Sequence, residues 1–157
     1  MLNKLKQSLK KLKSSNTKPN GFFCNAFIMC EFSKLNEQDW KLDFYDEKTN
    51  TITSYTVSET IIKEELEDKI FKKESEVIQE LKLEEVNQDF EKILKICKKE
   101  LNNKIPDKII IILQNQSFPQ WNISFITREF RLINIKINAI TQELISSIEE
   151  NLLEMQK

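Results

Sequence analysis

Apolar and polar residues alternate most sharply between Trp121 and Ile137, WNISFITREFRLINIKI, where Trp121, Ile123 and Phe125 share one side of an extended run. A period of two predicts two strands joined by a short polar turn near Arg128 and Glu129. The same pattern stands 81 positions earlier, where Trp40, Leu42, Phe44 and Ile52 line up with Trp121, Ile123, Phe125 and Ile133. Both tryptophans thus occupy one equivalent slot. Self-similarity at a fixed offset predicts the same supersecondary unit twice.

Taken in order, the chain opens with Leu2, Leu5, Leu9 and Leu12 at helical spacing, with Lys4, Lys6, Lys10, Lys11 and Lys13 between them. This predicts an amphipathic helix whose leucines cover a sheet. Contact of residues 2–13 with an anionic membrane surface is the alternative. Turn formers follow, with the single glycine, Gly21. Cys24 to Phe32 reads as a strand with Ala26, Ile28, Cys30 and Phe32 on one side and Phe27 and Met29 on the other. Apolar residues on both sides predict a strand covered on both faces. Trp40 to Tyr45 and Thr51 to Val57 then form a hairpin around DEKTN.

From Ser58 to Glu85 the composition turns to dense Glu and Lys, the mark of a charged connector with a short strand or helical turn around Val77 to Leu83. A second amphipathic helix follows, capped by Asn87 or Asp89, with Phe90, Ile93, Leu94, Cys97 and Leu101 in phase. The strand KIIIIL comes next, with Ile109 81 positions after Ile28, and the Trp121 hairpin after it. Leu144, Ile145, Ile148, Leu152 and Met155 recur at helical spacing and predict a terminal helix. The expected organisation is a first repeat over 1–60, a connector over 61–86, and a second repeat with the terminal helix over 87–157. The expected fold class is α+β, two sequence-related repeats of a helix on an antiparallel sheet.

The ending INIKINAITQEL resembles that of the PepSY-like domain, which often closes its hairpin with V-x-I-D-A-x-T-G-E-I. Ile135, Ile137, Asn138, Ala139, Thr141 and Glu143 stand at the matching places, while Asn138 replaces the usual Asp and Gln142 the usual Gly. The first copy keeps Thr60 but little else of that ending. The likeness covers residues 2–60 and 88–145, and the chain looks like the tandem PepSY-like proteins of small archaeal genomes. The resemblance implies a PepSY/cystatin-like fold, no catalytic residues, and a protein partner that a peptidase could supply. It also implies an extracytoplasmic setting.

Composition narrows the chemistry. The chain has 157 residues, enough for one sizeable core or two small halves sharing it. A net charge of −1 leaves no global field to attract nucleic acid, so no nucleic-acid partner is expected. The complete lack of histidine removes the commonest general base and metal ligand. A single glycine leaves no phosphate-cradling loop. Three cysteines without a Cys-x-x-Cys pair make a poor zinc set, and Cys97, in phase with the helix leucines, reads as a small buried apolar residue. The acidic cluster Glu64, Glu65, Glu67 and Asp68 reads as solvated charge. No cofactor, metal or catalytic residue is implied. Three free thiols and a lysine-broken N-terminus predict a cytoplasmic protein, or an extracytoplasmic one if a signal segment was removed.

These readings predict a non-catalytic binding or regulatory module acting through protein contact. The alternative is a carrier that encloses an apolar small ligand between helix and sheet layers. One helix per repeat covers one face of its sheet only. The second face is therefore covered by the other repeat or the terminal helix, or it is the partner surface, with Phe27, Met29 and Tyr45 as anchors. Ile110, Ile112 and Ile126 are their counterparts in the second half.

Overall fold

The computed structural model describes residues 1–58, 62–64, 68–69 and 77–154. The described residues form nine strands: β1 (Phe22–Glu31), β2 (Lys41–Asp46), β3 (Thr51–Val57), β4 (Ile62–Glu64), β5 (Asp68–Lys69), β6 (Pro106–Asn115), β7 (Pro119–Thr127), β8 (Arg131–Asn138) and β9 (Leu144–Asn151). They run in the order β4-β3-β2-β1-β6-β7-β8-β9, with β5 also paired to β3. Every pairing is antiparallel. Helices α1 (Leu2–Lys13) and α2 (Phe90–Leu101) contribute to one hydrophobic core on one side of the sheet.

This overturns the expected α+β class of two helix-plus-sheet repeats. The structure is one sheet-dominated antiparallel body. The reason lies in β1 and β6, which pair without interruption from Asn25 opposite Gln114 to Glu31 opposite Lys108. Backbone hydrogen bonds therefore run from one strand set into the other and leave no sheet boundary between them.

Cross-strand register shows why one side fills. Tyr55, Leu42, Ala26, Leu113, Trp121 and Ile137 form a single row across six strands, and Ile28, Ile111, Ile123 and Ile135 form the row beside it. All ten are buried. Partners opposite one another share a face, so the rows present a continuous apolar surface to the helices. From α1, Leu2, Leu5 and Leu12 fill it, so the apolar stripe of this helix is committed to the core. From α2, Phe90, Ile93, Cys97 and Leu101 do the same, and the Phe90 ring meets Trp121 edge to face at 5.2 Å. The Asp89 carboxylate caps α2 by accepting the Lys92 N–H at 3.2 Å.

Two local structures depart from the sequence pattern. The tail after Thr141 is strand β9, where a terminal helix was expected; Leu144 pairs opposite Ile137 and Asn151 opposite Arg131. Phe32 leaves β1 and begins a 3₁₀ helix, Phe32–Glu37. A second 3₁₀ turn, Leu83–Glu85, falls inside the expected connector. Of the acidic cluster there, Glu65 and Glu67 lie outside the described residues. Gly21 takes φ +81, and a Cβ there would lie 2.0 Å from the Tyr45 carbonyl oxygen, so only glycine fits this entry into β1.

The two tryptophans are both fully buried but differently satisfied. Trp40, one residue before β2, donates its indole N–H to the Met1 carbonyl at 3.3 Å, whereas the Trp121 indole N–H has no partner among the described residues. Either Trp→Ala change is expected to cost about 3–5 kcal/mol. Trp40→Phe is expected to cost more than Trp121→Phe, by the about 0.5–1.5 kcal/mol of one hydrogen bond. Urea unfolding of both variants measures the order, and a reversed order would mean that the Trp121 indole is paired.

Candidate functional site: the open face of the sheet

Alternation sends every second side chain of the central strands away from the helices. Five of the six residues expected at a partner surface come together there. Met29 lies opposite Ile110 and Phe27 opposite Ile112, while Ile126 sits on the neighbouring strand opposite Lys108 and Leu132. The sixth, Tyr45, points to the same side near the β2–β3 turn but is only 3% exposed. Its hydroxyl donates to Asn50 Oδ1 at 2.8 Å, and its ring meets Phe22 edge to face at 5.7 Å. Tyr45 anchors its own hairpin and offers little surface to another molecule.

One row on this face runs Met29, Ile110, Ser124, Asn134, Ile148 across β1, β6, β7, β8 and β9. At about 4.8 Å per strand it spans roughly 19 Å. Its two ends are open, Met29 at 59% and Ile148 at 55% exposure. Ile148 lies outside the expected surface residues because its spacing suits a helix, and Leu132, within a regular strand, carries no separate signal. Both helices pack into the core on the other side of the sheet, the two strand sets sit edge to edge, and the tail expected as a helix is itself a strand.

Polar side chains on the face are ordered by one another. Asn134 Nδ2 donates to Asn122 Oδ1 at 2.6 Å and to Ser124 Oγ at 2.9 Å. Asp43 accepts from Asn25 Nδ2 at 2.9 Å and from Ser54 Oγ at 2.6 Å. Charges stand around the apolar residues in balance: Glu31, Asp43 and Glu150 against Lys41, Lys108 and Lys136, read from the strand register. The face thus combines apolar residues on β1 and β6 with amides on β7 and β8 and a mixed charged rim.

Catalytic geometry is a different matter. Among the described residues no group of three or more Cys, Asp or Glu side chains could hold a metal ion. Burial pushes the Cys97 and Cys24 thiols up to about 12, with Glu100 and Asp43 respectively adding repulsion. At neutral pH both stay protonated and unreactive. Cys30, half-buried at the end of β1, is raised too, first by burial and then by Glu31. No helix among the described residues is long and apolar enough to cross a membrane.

Comparison with known proteins adds a fold relative. No family model matches the chain, and no curated protein matches it. The crystal structure of a putative lipoprotein from Clostridium difficile 630 is similar in fold, with a TM-score of 0.63 at 14% identity, covering 93% of this chain and 92% of that one. It carries no mention of PepSY. With the sheet continuous and no family matched, the PepSY-like tandem repeat is not sustained, and nothing supports an archaeal origin.

Thiol labelling tests the side-chain assignments. At pH 8 a thiol of pKa about 12 is ionised to roughly one part in ten thousand, so Cys30 is expected to react first. Cys24 and Cys97 are expected to react only on unfolding. Mass spectrometry of the labelled native chain reads the order, and rapid native labelling of Cys97 would overturn the α2 phase.

Proposed function

We propose that this chain is a non-catalytic binding module that meets a partner protein through the open face of its sheet. The observation that carries the reading is the row from Met29 to Ile148, apolar and exposed at both ends and hydrogen-bonded in the middle. The balanced rim favours a protein over a membrane, since three acids beside three lysines give no net attraction to anionic lipid. A protein surface with its own mixed charges complements such a rim.

The three free cysteines support a cytoplasmic setting. The name of the structural relative speaks for a membrane-anchored one, and sequencing the N-terminus of the protein isolated from its cells decides between them.

Met29→Lys combined with Ile148→Lys places two charges in the row without touching the helix side. Both positions are exposed, so stability is expected to change by no more than about 0.5 kcal/mol. A protein captured by the wild-type chain should be lost by this double variant and kept by Lys99→Ala on the outer side of α2. Unchanged capture by the double variant would sink the reading. Light scattering on the purified chain covers the remaining case, because self-association abolished by the same variant would make the occupant a second copy.

A further inference from the structure

Independently of the open face, we infer that the cleft beneath the C-terminal half of α2 binds an amphiphilic anion, an alkyl chain ending in a carboxylate. The cleft has a volume of about 360 Å³ and lies on the helix side of the sheet. Leu94, Cys97 and Leu101 form its helical wall, Phe125 of β7 lies on the sheet side, and Phe32 stands at the edge. This volume falls within the about 300–1,000 Å³ usual for small-molecule sites, and the lining is mainly apolar, as such sites are.

Phe32 marks the mouth. Its ring packs edge to face on Phe125 at 6.1 Å yet remains 38% exposed, while Phe125 itself is buried. An exposed phenyl ring leaning on a buried one leaves apolar surface that a chain of methylenes entering the cleft would remove from water. Each buried methylene contributes about 0.8 kcal/mol. The thiol at the wall, Cys97, is held protonated by its burial and so presents no charge to an alkyl tail.

Polarity at the rim chooses the head group. The two charged residues lining the cleft are Lys98 and Lys104. Lys98 makes no hydrogen bond or ion pair among the described residues. Lys104 reaches Glu149 at 3.4 Å, and Glu149 also accepts a close hydrogen bond from Arg131. That hydrogen bond holds the Glu149 carboxyl below its usual range, so it stays ionised. Lys104 and Arg131 share the Glu149 carboxylate, Lys98 also lines the cleft, and Glu100 beside Cys97 stands against them, so the charge at and around the rim sums to about one positive. The C-terminal end of α2 opposes this with only about half a negative charge. A cationic amphiphile is therefore repelled and a carboxylate attracted.

Titration of the whole chain with decanoate and, separately, with decan-1-ol tests the site. Decanoate is expected to bind saturably at one site. Leu94→Trp, which fills the cleft, should abolish binding of both, with folding checked by circular dichroism. Lys98→Glu, at an exposed position, should weaken decanoate about tenfold, as expected when an attraction near the surface becomes a repulsion, and leave decan-1-ol unchanged. Met29→Lys, on the opposite side of the sheet, should alter neither. Absence of saturable decanoate binding, indifference of decanoate to Lys98→Glu, or loss of it with Met29→Lys would each overturn the assignment. Failure here leaves the open-face reading standing, since that is read by protein capture alone.

Discussion

The pairing of β1 with β6 is the constraint on which the rest of this structure depends. Seven consecutive residue pairs, from Asn25–Gln114 to Glu31–Lys108, bring together strands far apart in the chain. Such a contact carries a large loop-closure cost, and it is offset by what the two strands bury. Ala26, Ile28, Ile109, Ile111 and Leu113 are all fully covered, at the centre of the core. Ala26 opposite Leu113 is a small residue facing a large one, with Trp121 next in the same row. This seam makes the sheet continuous and leaves no break between the two strand sets.

The same seam makes the two faces unequal. Both helices come before their strand sets and both dock on one side, joined in a single core. The opposite side keeps Phe27, Met29, Ile110 and Ile112 at the middle of the sheet, where a twisted surface is broadest. Their flanks are partly covered by neighbours across the strands. The hydrogen bonds among Asn122, Ser124 and Asn134 hold adjacent polar groups in place without closing the face. An ordered surface loses less freedom on binding than a mobile one, which is the physical advantage of building a contact patch on strands.

How much of this could be read from the chain depends on whether the deciding interactions were local. Both helices were legible because their apolar residues recur at helical spacing within twelve residues. The central strands were legible through alternation, and so was the sidedness of Phe27, Met29, Ile110, Ile112 and Ile126. The joining of the strand sets was not, because edge pairing between β1 and β6 leaves no periodic trace in either segment. Strand β9 was misread for a related reason: Leu144, Ile145, Ile148 and Leu152 suit a helix, and only the free edge of β8 makes the segment extend. The turn before it did leave a trace. Asn138 Oδ1 accepts the N–H groups of Ile140 and Thr141, and Gln142 adopts φ 65 while its side chain donates to the Asp89 carbonyl at 2.7 Å. Asn138 and Gln142 are the two residues at which the chain departs from the PepSY-like ending, and together they reverse the chain so that β9 runs back along β8.

Both proposed surfaces share one electrostatic property. The chain has no histidine, and the thiols of Cys24 and Cys97 are pushed up to about 12. Histidine is the side chain whose ordinary pKa puts its charge change between about pH 5 and 8. The charges at and beside the cleft rim are two lysines, an arginine, the Glu149 carboxylate held ionised by that arginine, and Glu100. The open face carries only lysines and carboxylates. Neither surface therefore carries the side chain that ordinarily changes charge in that range. If either proposed surface binds as inferred, salt, which screens exposed charges beyond about 8–10 Å, weakens the charged part of the contact and leaves the apolar part.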